Sequence, residues 1–181
     1  MANYAQAERV CRQILAAQPG NSDAHNILGV TLAAAGNMDE AIASLNRAIK
    51  LNPEGATYHA NLGEILRQAG RPKEAAASLE KALKRDRKNA QALNNLGIIH
   101  FELGQMDEAI DYYRRALEIR PDMPECLNNL GNALSRNGDR EAALAAYEGA
   151  LTHRAVYPEA YNNLGTLLQQ LKRFDEAEHA L

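Results

Sequence analysis

Apolar residues recur along this chain in paired helix-spaced runs separated by a polar break. Residues 90–123, AQALNNLGIIHFELGQMDEAIDYYRRALEIRPDM, carry the arrangement most plainly. Leu93, Leu96 and Ile99, with His100, fall at three- and four-residue spacing before Gly104. The spacing resumes at Ala109, Ile110, Tyr113, Ala116 and Leu117, between the acidic start Asp107-Glu108 and Pro121. Such a pattern predicts a helix, a tight turn and a second helix.

The unit repeats with a period of 34 residues. Gly29, Gly63, Gly97, Gly131 and Gly165 form one column, and Ala7, Ala41, Ala75, Ala109, Ala143 and Ala177 form another. Leu28, Leu62, Leu96, Leu130 and Leu164 make a third, and Gly36, Gly70, Gly104 and Gly138 a fourth. The small residues have a packing reason: helices approach to about 8 to 10 Å where small side chains meet. Enlarging Gly97 or Ala109 is therefore expected to force helices apart. The last glycine column falls where a first helix should end in a left-handed residue. Asp39-Glu40, Asp107-Glu108 and Asp175-Glu176 sit at the positive end of the second helices, and Pro72, Pro124 and Pro158 at first-turn positions.

Period and pattern together resemble the tetratricopeptide repeat family, whose units place a small residue in the middle of the first helix, an alanine early in the second and a proline near the end. Pro19, Pro53 and Pro121 supply the last of these. Arg87 and Ala155 replace that proline, Lys172 replaces a turn glycine, and His25 and His59 stand where the family usually has a larger apolar residue. The resemblance implies an all-α, right-handed superhelical solenoid of antiparallel helix pairs, in which each unit contacts its neighbours. A single repeat domain over residues 1–181 is expected: full repeats at 22–55, 56–89, 90–123 and 124–157, the second half of a repeat at 1–21, and a shortened repeat at 158–181. Solenoids close with polar caps, so both ends read as cut from a longer chain.

The resemblance also implies that first helices line a concave side. Two and three residues before each glycine stand Ile27, Asn61, Asn95, Asn129 and Asn163, and Asn26, Ala60, Asn94, Asn128 and Asn162. Helical spacing puts Gln91, Ile98 and Phe101 or Glu102 on the side of Asn94 and Asn95. An amide both donates and accepts, so a ladder of them suits backbone N–H and C=O groups of an extended peptide. Rungs about 10 Å apart would meet a strand at roughly every third residue. The expected groove comprises Asn26, Asn61, Glu64, Arg67, Gln91, Asn94, Asn95, Phe101, Asn128, Asn129, Asn132, Arg136, Asn162 and Asn163, with Asn61, Asn95, Asn129 and Asn163 as backbone contacts. NNLG and ANLG are also similar to the repeat region of O-linked N-acetylglucosamine transferases, which carries an asparagine ladder. A carboxylate clamp of the kind the family uses on chaperone tails would need basic residues where Asn26, Val30, Asn61, Gln91 and Asn95 stand. Arg67 and Arg136 lie nearby at first-helix ends.

Other chemistry is sparse. Lys81, Lys84, Arg85, Arg87 and Lys88 form a basic run amid Glu80 and Asp86, without interleaved aromatics, and read as a solvated edge. His25 and His59 lack further metal ligands in the pattern and read as packing residues. Tyr112, Tyr113 and Tyr147 read as core and rim, and Cys126 as filler. No nucleophile with a base, phosphate loop or metal motif is found.

An apolar share of 46% is enough for a full core, and no run approaches the roughly 18 apolar residues of a membrane span. A formal charge of −3 argues for neither nucleic acid nor a membrane surface. Cys11 and Cys126 lie far apart and outside any zinc spacing, which fits a reducing compartment, and MANYAQAERV has no signal-peptide pattern. The expectation is a cytoplasmic, cofactor-free, non-catalytic scaffold that binds peptides or protein partners in its groove. Two alternatives stand beside it: the substrate-recruiting arm of a larger enzyme such as an O-GlcNAc-type glycosyltransferase, and a scaffold self-associating through exposed terminal helices.

Overall fold

The computed structural model describes the backbone of residues 2–180 and the side chains of residues 4–177. Met1 and Leu181, which bound the expected terminal units, lie outside the described residues. Among those residues every regular element is helical: α1 (Ala2–Ala17), α2 (Ser22–Ala34), α3 (Met38–Leu51), α4 (Ala56–Gln68), α5 (Pro72–Arg85), α6 (Ala90–Glu102), α7 (Met106–Ile119), α8 (Pro124–Asn137), α9 (Arg140–His153), α10 (Pro158–Gln170) and α11 (Phe174–Ala180). No helix among them is long and apolar enough to cross a membrane.

The helix boundaries have local causes. Proline opens α5, α8 and α10, where its missing N–H belongs to a group that would be unpaired in any case. The Asn21 carboxamide caps α2 by accepting from Ala24 N at 2.9 Å, and the Asp139 carboxylate caps α9 by accepting from Ala142 N at 3.3 Å. Each tight turn contains a left-handed residue: Gly36, Gly70, Gly104 and Gly138 have φ between +71° and +91°, and Lys172 takes φ +59° in the corresponding place. The turn is thus set by the backbone path and survives without glycine.

The chain divides into two compact units, residues 1–95 and 96–181. In the first, α1 to α5 each pack on the next, and α2 also meets α4. Leu32, Leu45, Leu62, Leu66 and Leu79 fill the core around Ala41, Ala48, Ala75 and Ala82, all four fully buried. In the second, α7 to α11 follow the same pattern, with Leu96, Ile99, Tyr113, Leu130, Tyr147 and Leu167 around Ala109, Ala116, Ala143 and Ala150. The central glycines mark the closest approach. A Cβ on Gly29 would lie 2.7 Å from Leu45 Cγ, and one on Gly131 would lie 2.5 Å from the Tyr147 ring. One slot therefore receives leucine in the first unit and tyrosine in the second.

Candidate functional site

In the second unit, α8 and α10 are first helices of adjacent helix pairs, and they bring three of the expected groove residues together beside a fourth, Phe101 of α6. Phe101, Asn132, Arg136 and Asn163 line a pocket of about 240 Å³ together with Ser135, Tyr147, Thr166, Leu167 and Gln170. Helical geometry explains the grouping: Ser135 and Arg136 follow Asn132 by three and four residues, and Thr166 and Gln170 follow Asn163 by three and seven. Tyr147 enters from α9. Its ring passes beneath Gly131, and its hydroxyl donates to Asn132 Oδ1 at 2.8 Å. Burial pushes the Tyr147 phenol up to about 12, so it stays a donor across the physiological range. One lone pair of the Asn132 carbonyl is thereby taken and the amide's orientation set, and its two N–H donors are left for the pocket. The Arg136 guanidinium lies over the Phe101 ring, 4.8 Å from its centroid, and makes no ion pair among the described residues.

The remaining expected residues of this unit are placed differently. Asn128 is buried, and its Oδ1 accepts from Asn163 Nδ2 at 3.0 Å, a bond that ties α8 to α10. Asn129 is half-buried and Asn162 exposed, and neither lines the pocket. Asn163 retains its carbonyl and one N–H.

The first unit uses its corresponding residues largely on itself. Asn61 Nδ2 donates to Asn26 Oδ1 at 2.8 Å, joining α4 to α2 as Asn163 joins α10 to α8. Arg67 makes a paired contact with Glu64 at 3.2 and 3.0 Å, and Gln68 donates to the same carboxylate at 2.6 Å. Gln91 donates weakly to Asn95 Oδ1 at 3.4 Å. Asn94 and Asn95 are only 4% and 3% exposed, and Asn94 Oδ1 is buried without a hydrogen-bond partner. Arg67 and Arg136, both near first-helix ends but one residue apart in repeat register, differ in the folded chain: one is matched by a carboxylate on its own helix, the other rests on an aromatic ring.

Elsewhere the polar residues serve packing. His25 and His59 meet the carbonyls of Pro19 and Pro53 at 3.1 and 3.3 Å, and the Ser44 and Ser78 hydroxyls donate to the two histidines' own carbonyls at 2.9 Å. Burial lowers the His59 imidazole from its ordinary value, helped by the charges of Arg85 and Lys81 against the Pro53 carbonyl. Cys11 and Cys126 are buried and unpaired. Burial pushes the Cys126 thiol up to about 12, against the weaker pull of Arg120, and its Sγ contacts the Tyr113 carbonyl at 3.6 Å. In the basic run, Arg85 pairs with Glu54 at 3.4 Å. No group of three or more potential metal ligands forms among the described residues.

Tyr147, Ser135, Thr166 and Gln170 were absent from the sequence-level set. The last three could have been found by carrying the three- and four-residue spacing onward from Asn132 and Asn163. Tyr147 could not, because its hydroxyl reaches Asn132 only across the contact between α8 and α9.

A model of the tetratricopeptide repeat matches residues 1–56, 35–82, 60–124 and 128–181. No curated protein matches the chain. Among solved structures, the chain is similar to MamA, at 25% identity and a TM-score of 0.74 over 85% of this chain and 90% of that one. It is similar to PilF of Pseudomonas aeruginosa at 26% identity and a TM-score of 0.82, over 88% of this chain and 72% of that one. YrrB, a tetratricopeptide repeat protein with an unusual peptide-binding site, shares the fold at 20% identity and a TM-score of 0.73, over 94% of this chain and 88% of that one.

Proposed function

The chain belongs to the tetratricopeptide repeat family, and from that premise we propose that it is a non-catalytic scaffold which binds an extended peptide or a protein segment on the face presented by its first helices. Arrays of this family are protein-interaction scaffolds, and their binding surfaces arise from the stacking of identical units. The observation that carries the reading is the pocket on α8 and α10. It is open and lined by Asn132, Asn163 and Gln170 amides and the Arg136 guanidinium. Amides that keep free donors and acceptors suit a peptide backbone, because they accept either partner without reading side chains.

A random array of synthetic peptides probed with the labelled chain tests this directly. The native chain is expected to retain a subset of peptides, and the doubly substituted Asn132→Ala, Asn163→Ala chain to bind that subset roughly tenfold more weakly, as expected for loss of two hydrogen bonds. Equal retention by both would remove the α8–α10 face from the function, and an array that retains nothing would remove peptide binding altogether.

A further inference from the structure

We propose that the cleft between the second helices α3 and α5 receives an acidic amphipathic helix of a partner protein, an aliphatic side chain entering the cleft while an acidic neighbour pairs with Lys81. The cleft lies in the first unit and is walled by second helices, so the inference stands apart from the peptide-binding reading above.

The cleft exists because α3 and α5 both pack on α4 while their backbones stay apart. It holds about 260 Å³, more than the roughly 150 Å³ that admits a benzene ring to an apolar interior. Leu62 and Leu66 of α4 form its floor, Ile42 and half-buried Ile49 its α3 side, and Ala77 stands at the exposed α5 rim. A small rim residue lets another helix approach to about 8 to 10 Å, near enough for an aliphatic side chain to enter as a knob enters a hole. A helix suits this place better than a strand. It satisfies its own backbone groups, whereas an extended segment would set unpaired N–H and C=O groups against Ile49 and Ala77.

The charge left over at the mouth is positive. Arg71 and Glu74 are bound to each other at 2.7 Å, and exposed Lys81 makes no ion pair among the described residues. Lys84 follows Lys81 by three residues and extends the same face. The field reaches the floor of the cleft: burial is the main cause lowering the His59 imidazole, and Arg85 and Lys81 lower it further against the smaller effect of Glu54.

A second cleft, between α1 and α3 over α2, has the same plan but is spanned. Its Leu28, Leu32 and Ser44 stand 34 residues before Leu62, Leu66 and Ser78. Arg12 of α1 crosses it to Glu40 of α3 at 3.2 Å. In the α3–α5 cleft Asn46 stands in place of Arg12, and Glu74, in place of Glu40, is held by Arg71, which replaces Asn37. No ion pair spans that cleft among the described residues, so its apolar floor and its unmatched cation are left for a partner.

The probe is a blocked, labelled, alanine-based peptide of about 18 residues, long enough to be helical in water, with leucines at i, i+3 and i+7 and glutamates beside them. One companion carries lysine for every glutamate, and another alanine for every leucine. Affinity is read by fluorescence polarisation at low salt, and the contact face by amide shift changes in NMR spectra. The native chain should bind the probe at least tenfold more tightly than either companion, with shifts at Asn46, Ile49, Ala77 and Lys81. Lys81→Glu should weaken binding roughly tenfold. Asn46→Arg combined with Arg71→Asn copies the spanned cleft at unchanged net charge and should weaken it at least as much. The Asn132→Ala, Asn163→Ala chain should bind this probe within about twofold of the native chain. Circular dichroism establishes that each variant is folded. No binding by the native chain, equal affinity for either companion, shifts confined to first helices, or unchanged affinity in Lys81→Glu or the Asn46→Arg, Arg71→Asn chain would each overturn the cleft as a docking site and leave the first-helix reading standing.

Discussion

Two glycines seven residues apart, Gly131 and Gly138, illustrate how differently one residue type is constrained. Gly131 lies in mid-helix, and its hydrogen faces the Tyr147 ring so closely that an added Cβ would sit 2.5 Å from Cε1. Alanine would gain about 1 kcal/mol of helix propensity and lose about 1 to 3 kcal/mol to overpacking. Gly131→Ala is accordingly expected to lower stability by roughly 1 kcal/mol, read from urea unfolding. It should also weaken peptide binding, because the shifted ring withdraws its hydroxyl from Asn132. Gly138, at the turn, has open space around it and φ +91°. Gly138→Ala should cost about 1 to 2 kcal/mol from backbone strain alone and leave the pocket untouched. The converse substitution, Lys172→Gly at φ +59°, is expected to stabilise by up to about 1 kcal/mol, the left-handed strain outweighing the entropy that glycine adds.

At the level of helices, stability comes from repeated small devices rather than strong ion pairs. The exposed pairs Arg71–Glu74 and Arg173–Glu176 follow i,i+3 spacing and are screened by solvent. Caps count for more. Asn21→Ala removes the acceptor for Ala24 N and should cost about 1 kcal/mol, measurable by thermal unfolding. The amide bonds Asn61–Asn26 and Asn163–Asn128 link first helices one repeat apart. A double-mutant cycle on Asn26 and Asn61 should give a coupling of about 0.5 to 1.5 kcal/mol, the net worth of a half-buried hydrogen bond. Zero coupling would show that these asparagines are free for a ligand instead. Part of the asparagine ladder legible in the sequence thus holds helices together, and only the remainder is available for the proposed partner.

For the whole molecule, buried titratable groups set the pH range of stability. Burial places the folded-state Cys126 and Tyr147 near 12, above their ordinary 9.0 and 10.0. The unfolded chain therefore loses those protons first as pH rises, and stability should fall from about pH 9 upward. His59 is shifted below its ordinary 6.5, so the unfolded chain takes up that proton first on acidification. Stability should decline as pH drops through and below 6.5. Denaturation midpoints between pH 5 and pH 11 should show a plateau with two shoulders. Tyr147→Phe and Cys126→Ala should flatten the alkaline one, and His59→Gln the acidic one, whatever each does to the plateau height.

Helix pairs, their turns and the columns of small residues could be read in advance because they depend on local spacing. An apolar stripe with a period near 3.6 fixes a helix face, a proline or a left-handed residue fixes where it stops, and a 34-residue period fixes which columns meet. The family and the all-helical architecture follow from residues near one another in the chain. What tertiary structure decided is which polar groups remain available. Asn61 and Asn163 each give one N–H to an asparagine 35 positions earlier, and Arg67 is matched by Glu64 where Arg136 is stacked on Phe101. The hydroxyl of Tyr147 settles which way the Asn132 amide faces. A side chain's hydrogen-bonding capacity is written in its chemistry, but whether that capacity is already used depends on neighbours brought together only by packing.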